Sequence, residues 1–158
     1  MHAGTFFGDF LPAISRAYDR VWAFEPNPDS FKCAEITVRL NELKNVQITN
    51  AALGRSDGSA SLRTERDGEY LGGGSFVVDE PGETRVHSLD SLIPADHQIG
   101  MIHLDVERFE GPALEGARRT IARCKPVIVL ESVPEIIWDL GYREVRRVNR
   151  NYVFAPTA

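Results

Sequence analysis

Long apolar runs are missing from this chain. No stretch approaches the roughly 18 residues that a membrane span needs, which excludes a helical membrane protein. Cysteine is almost absent: Cys33 and Cys124 stand in no Cys-x-x-Cys or Cys/His grouping, so neither a structural zinc nor a disulfide framework is expected. Both fall in helical patterns, where buried thiols are common. A basic face is lacking as well. The formal charge is −5, and Lys and Arg are scattered except at Arg143, Arg146, Arg147 and Arg150, so nucleic acid is not an expected partner. Those four arginines read as the solvated face of an edge strand. The first residues carry no basic and apolar leader pattern, and a cytoplasmic location is expected. No internal repeat or low-complexity segment occurs.

What is present fits one domain over residues 1–158: 42% hydrophobic and 26% charged residues are ordinary for a soluble globular chain of this length. "VWAFE" (21–25), "MIHLD" (101–105) and "PVIVLE" (126–131) are short apolar runs closed by an acid, the pattern of parallel strands buried on both faces. Helical periods alternate with them. Phe7, Leu11, Ile14 and Tyr18 form one stripe, with Pro12 in the first turn. Asn27 caps a second helix with Pro28 at its first position and Asp29 in its first turn; its inner stripe is Cys33, Ile36, Leu40 and Leu43, ending near Lys44 and Asn45. Pro112 opens a third helix with Leu114, Ala117, Ile121 and Cys124 inward, and a short one runs from Pro134 to Leu140.

"VQITNAAL" and "SASLRTE" flank "RSDG" and predict a hairpin. "RDGEYLGGGS" predicts a mobile loop bordering a site. "SFVVD" and "TRVHSL" are extended about a turn, and "GYREVRRV" with "NYVFAP" predicts an antiparallel ribbon. The alternation of strand and helix is that of an open, mostly parallel α/β sheet with helices on both faces. Such sheets bind ligands at the carboxyl ends of their strands. Four places are thereby singled out: Gly4 to Gly8, Glu25, Asn50 with Ala51, and Asp105 with Glu107.

The first of these, "GTFFG", is a glycine loop feeding a helix. Dinucleotide loops read G-x-G-x-x-G so that the backbone can approach a diphosphate, and Phe6 stands where the second glycine belongs. A cofactor without phosphates needs only the turn at Gly4 and close packing at Gly8. S-adenosylmethionine is such a cofactor, since its carboxylate can accept N–H groups at a helix start and its sulfonium tolerates aromatic neighbours. A carboxylate at Glu25 can accept both ribose hydroxyls.

"HAGTFFGDF", "VWAFEPNPDSF", "NVQITNAALGRSDGSASL", "IHLDVERFEGPALEGA" and "KPVIVLE", in this order over nearly the whole chain, resemble the successive motifs of the FkbM-type family of S-adenosylmethionine-dependent methyltransferases. The resemblance implies a Rossmann-like class I methyltransferase sandwich with strand order 3-2-1-4-5-7-6, transferring methyl groups mostly to hydroxyls of sugars or secondary metabolites. It implies that Gly4, Thr5 and Gly8 line the methionine moiety, that Glu25 and Pro26 hold the ribose, that Asn50 and Ala51 border adenine, and that Asp105 and Glu107 face the sulfonium and the acceptor. Two positions depart from the family's pattern: His2 where an acid precedes the first glycine, and Arg108 where "D-x-E-G-x-E" has glycine.

Methyl transfer to a hydroxyl needs a proton acceptor. Asp105 is the expected base, oriented by Glu107 or Glu110, because neighbouring carboxylates raise one another's pKa. A divalent metal held with Glu131 ranks lower, and no metal is expected. His103 is expected to be packed and hydrogen-bonded, Trp22 and Trp138 to pack in the core or its rim. Only Met1, His2 and Ala3 precede the glycine turn, so most of the first central strand is expected to be missing, with exposed ladder groups, low stability and weak cofactor binding. A methyltransferase-fold binding protein without turnover and a nucleotide-dependent oxidoreductase are the alternatives. The acceptor and the oligomeric state are not legible.

Overall fold

The computed structural model describes residues 1–157, apart from the side chain of Arg66. In chain order the elements are β1 (His2–Ala3), α1 (Leu11–Ala17), β2 (Val21–Phe24), α2 (Pro28–Leu40), β3 (Val46–Thr49), β4 (Ala52–Leu53), β5 (Gly58–Arg63), β6 (Glu65–Arg66) and β7 (Glu69–Tyr70). There follow a 3₁₀ turn (Gly72–Gly74), β8 (Phe76–Val78), β9 (Thr84–His87), α3 (Leu89–Leu92), β10 (Met101–Leu104), α4 (Glu110–Glu115), α5 (Arg118–Cys124), β11 (Val127–Leu130), α6 (Ile136–Asp139), β12 (Tyr142–Val148) and β13 (Asn151–Pro156).

Seven strands form the main sheet, in the order β12-β13-β11-β10-β1-β2-β3. Only the β12–β13 and β13–β11 pairings are antiparallel. Numbered among these seven alone, the order is 3-2-1-4-5-7-6, the one expected. Short as it is, β1 pairs with both β10 and β2. The flanking residues extend the ladder: Met1 O accepts from His103 N and Gly4 N donates to Phe24 O. The Met1 amino group donates to Met101 O, and burial lowers its pKa to about 5. Residues 1–4 therefore satisfy neighbouring backbone groups that the sequence reading expected to be exposed.

The two faces of the sheet are covered unequally. Leu11, Val21 and Ala23 pack with Ile14, Val38, Leu43, Val46 and Ile48 where α1 and α2 cover β2 and β3. On the other face Ile102, Leu104, Ile128, Leu130 and Phe154 meet α3, α4, α5 and α6 through Leu89, Leu114, Ile121 and Ile137. All four residues of β2 are buried as expected, but in β11 Val127 is 41% exposed and Val129 only half-buried. "MIHLD" and "PVIVLE" are thus buried on one face, not two, because α1 and α2 lie against the β2–β3 side.

Other expectations are corrected by close contacts. Asn27 does cap α2, accepting from Asp29 N and Ser30 N, but the buried residues of the helix are Ser30 and Ala34, and it ends at Leu40. A Cβ on Gly8 would stand 3.3 Å from Ala34 Cα, so this contact admits only small residues. Cys33, Ile36 and Leu40 consequently face outward, Leu40 at 74% exposure. Phe7 and Tyr18 lie outside α1 and are exposed.

The predicted hairpin does not form: β3 pairs parallel with β2, while β4 joins a second sheet of order β4-β9-β5-β8. Asp57 of "RSDG" ties this sheet to α3, accepting from Ser88 N at 2.8 Å and Ser91 Oγ at 2.7 Å. "RDGEYLGGGS", expected to be a loop, carries the end of β6, all of β7 and the 3₁₀ turn. The third helix starts before Pro112 and breaks into α4 and α5 at Gly116, where a Cβ would lie 1.9 Å from Gly54 O and only glycine fits. Trp22 is buried; Trp138 is 51% exposed and meets Phe154 edge-on.

Candidate active site

At the carboxyl ends of β1, β2 and β10 the chain encloses a cleft of about 290 Å³. Its floor is the glycine bend. Gly4 has φ +79°, and a Cβ there would fall 1.7 Å from the Asp105 carbonyl oxygen, so the bend and the end of β10 can touch only without a side chain. Phe6 also adopts a left-handed backbone, φ 49°, a conformation that costs a bulky residue about 1 kcal/mol or more. One contact holds it there: Phe6 N donates to Glu25 Oε2 at 2.7 Å. The Phe6 ring then lines the cleft and approaches Gly73.

Glu25 follows β2, is 6% exposed, and lines the same cleft. Its other oxygen, Oε1, accepts from Asn27 N at 2.9 Å. Each carboxylate oxygen has two acceptor sites, so one on each remains for a further donor. Burial raises the Glu25 pKa, and the hydrogen bonds from Asn27 and Phe6 oppose that rise. The carboxylate therefore both clamps the glycine loop and faces the cavity.

Across the bend stand three more acids. Asp105, Glu107 and Glu131 line the cleft, and a carboxylate oxygen from each lies within 4.8 Å of the others. Glu107 and Arg108 both have left-handed backbones, φ 49° and 73°, which turn the chain sharply after β10. Burial raises the pKa of Asp105; a hydrogen bond with Glu131 opposes this, and the charges of Glu107, Glu110 and Asp9 add to it. Glu107 is raised by burial and then by Glu131 and Glu110. Glu131 is raised by burial, then by its hydrogen bond to Asp105 and the Asp105 charge. The arrangement suits the removal of a proton from a bound hydroxyl.

Of the residues expected at a site, Gly4, Glu25, Pro26, Ala51, Asp105 and Glu107 line this cleft together. Thr5, Gly8 and Asn50 support it from behind. Thr5 is buried, with Oγ1 on Phe24 O at 3.0 Å. Gly8 N donates to Thr5 O, and Asn50 Nδ2 donates to Glu25 O and Pro26 O. Glu131 and Phe109, which the sequence reading did not place at the cofactor site, do line it. The acid closing "PVIVLE" was the available signal for Glu131. Glu110 is 1% exposed and accepts from Ser132 Oγ at 2.6 Å. His2 is buried and stacks on His103 with ring centroids 4.7 Å apart; burial holds its pKa down at about 3.

Comparison with known proteins adds a family. The sequence model of the methyltransferase FkbM domain matches residues 2–149. No curated protein matches the chain. A crystal structure of a methyltransferase FkbM from Methylobacillus flagellatus superposes with a TM-score of 0.65 at 17% identity, over 98% of this chain and 42% of that one. A SAM-dependent methyltransferase from Aquifex aeolicus superposes with a TM-score of 0.51 at 15% identity, over 98% of this chain and 79% of that one. At these identities the two structures speak for the fold, and the chain spans less than half the length of the first.

Proposed function

The chain belongs to the methyltransferase FkbM domain family, and on that premise we propose that it is an S-adenosylmethionine-dependent methyltransferase acting on a hydroxyl of a sugar or other small metabolite. One observation carries this reading: the carboxylates of Glu25 and Asp105 enter a single cleft from opposite sides of the Gly4 bend. Five carboxylates line that cleft, those of Asp9, Glu25, Asp105, Glu107 and Glu131, and among the described residues no Lys, Arg or His does. Such a lining attracts a cationic donor and repels a diphosphate. The nicotinamide-nucleotide alternative is disfavoured twice over, by these charges and by the Phe6 ring at the loop.

The residues fit the cofactor by the chemistry of their donors and acceptors. Glu25 keeps one free acceptor site on each oxygen for the ribose hydroxyls, and Ala51, Ala52 and Leu53 offer an apolar wall to a flat base. Gly4, whose N–H donates to Phe24 O, lines the cleft at the end of β1, where the amino-acid portion would lie. When bound, the donor supplies a methyl group already activated by its sulfonium. The chain's task is then to align the acceptor and to take its hydroxyl proton on an Asp105 carboxylate oxygen. Phe6, Phe10 and Phe109 add apolar wall to the cleft.

Calorimetry tests the reading: S-adenosylhomocysteine binds and nicotinamide nucleotides do not. Incubation of metabolite extracts with labelled methyl donor then yields labelled O-methyl products. Correct folding with donor binding but no labelled product would replace the enzyme by a binding protein.

A further inference from the structure

We propose that Glu131 acts with Asp105 as one proton-sharing unit, which receives the acceptor's hydroxyl proton at Asp105 and releases it to water through Glu131. The proposal rests on the methyl-transfer reading of this cleft. Parallel pairing of β10 with β11 sets Leu104 opposite Leu130. The next residue of each strand, Asp105 and Glu131, therefore stands beside the other, and both reach the cleft. A carboxylate oxygen of each lies within 4.8 Å of one on the other. Two ionised carboxylates at this spacing repel and offer acceptors only, so a single proton held between them stabilises the pair.

The surrounding charges favour that proton. Asp9 approaches Asp105 from the N-terminal loop, and Glu107 and Glu110 from the segment after β10. Arg150, at the β12–β13 turn, eases Glu107 and Glu131, and Arg108 eases Glu107. Neither arginine is among the groups acting on Asp105. Of the pair, Glu131 is the less buried.

The resting unit holds one proton, on Glu131, donated to one Asp105 oxygen. The acceptor's O–H bond breaks as an O–H bond forms on the second Asp105 oxygen. The unit then holds two protons; Glu131 gives its own to water and takes up the one on Asp105, which restores the start. Glu131 is a positioning and relay group in this scheme; Asp105 alone meets the substrate.

The test begins without donor or acceptor. A ¹³C carboxyl titration of the chain shows two coupled ionisations at Asp105, and in Glu131→Gln a single one, since the second titrating member of the pair has been removed. In turnover, Glu131→Gln keeps the donor KM within about threefold, lowers kcat at least about tenfold, and shifts the acid limb of the pH profile; Glu131→Asp recovers most of the loss. A single uncoupled ionisation at Asp105 in the unmodified chain overturns the proposal, as does Glu131→Gln with unchanged kcat and pH profile. A titration that moves with added Mg²⁺ and returns with chelator also overturns it, in favour of a cation. Coupled titration with no methyl transfer to any acceptor keeps the pair and removes the transfer reading instead.

Discussion

Glu25 and Asp105 each follow an apolar strand of the central sheet, each on a neighbour of β1, and both line one cleft. Glu25 is the more deeply buried, yet both of its oxygens accept backbone N–H groups. Asp105 is half-buried and surrounded by Glu107, Glu110, Glu131 and Asp9. The first carboxylate is held by donors that stabilise its charge and fix a loop. The second is crowded by like charges that disfavour its ionisation. A carboxylate held by backbone N–H groups is a binding and structural group, whereas one crowded by acids is available to take up a proton.

The sharpest way to break the comparison is at the residue between the two acids. Gly4→Ala drives a Cβ into Asp105 O and imposes φ +79° on an alanine, so a loss of at least about 3 kcal/mol is expected by thermal unfolding, with the cleft lost. A melting temperature within two degrees of the parent would show that β10 can retreat from the bend.

Next is Asp105→Asn. Turnover should fall about 10²-fold or more while donor affinity stays within a few-fold. Unfolding at pH 7 should shift upward by a degree or two, because a like charge leaves the cluster. Glu25→Gln should move stability the other way. Its amide presents a donor to Phe6 N or Asn27 N, costing about 2 kcal/mol and weakening S-adenosylhomocysteine about tenfold or more in calorimetry. If the two variants shifted stability in the same direction, the contrast between the carboxylates would fail.

The smallest effect is in the pH dependence. Asp105, Glu107, Glu131 and Glu25 all have folded pKa values raised above those of the unfolded chain, so the folded state holds more protons in this range. The contribution of this cluster to stability is therefore largest below about pH 4 and declines as pH rises through the raised folded values. Glu131→Gln should flatten that decline, as unfolding measured from pH 4 to 8 would show.

Much of the fold was legible because strand and helix patterns are local. The apolar runs ending in Glu25, Asp105 and Glu131, the Asn27 cap with Pro28, and the terminal ribbon all appear where periodicity and capping put them. The misreadings arose where a contact between distant segments decided. Gly8 against Ala34 turned the α2 stripe outward, Gly116 lies tight against Gly54 where a helix breaks in two, and Asn50 on Glu25 O and Pro26 O accompanied the departure of β4 from the main sheet. At the site, Thr5, Gly8 and Asn50 were read as cofactor contacts because they adjoin the motifs. They stand behind the lining residues, with hydrogen bonds to β2, the Thr5 turn and the loop after β2.

By itself the sequence determined the repertoire of elements and the strand-ending acids, because backbone geometry repeats over a few residues and leaves its period in the chain. Tertiary structure alone decided which acids meet, which have donors and which are crowded by like charges. Those outcomes depend on distances between side chains far apart in sequence, and on water being removed from around them.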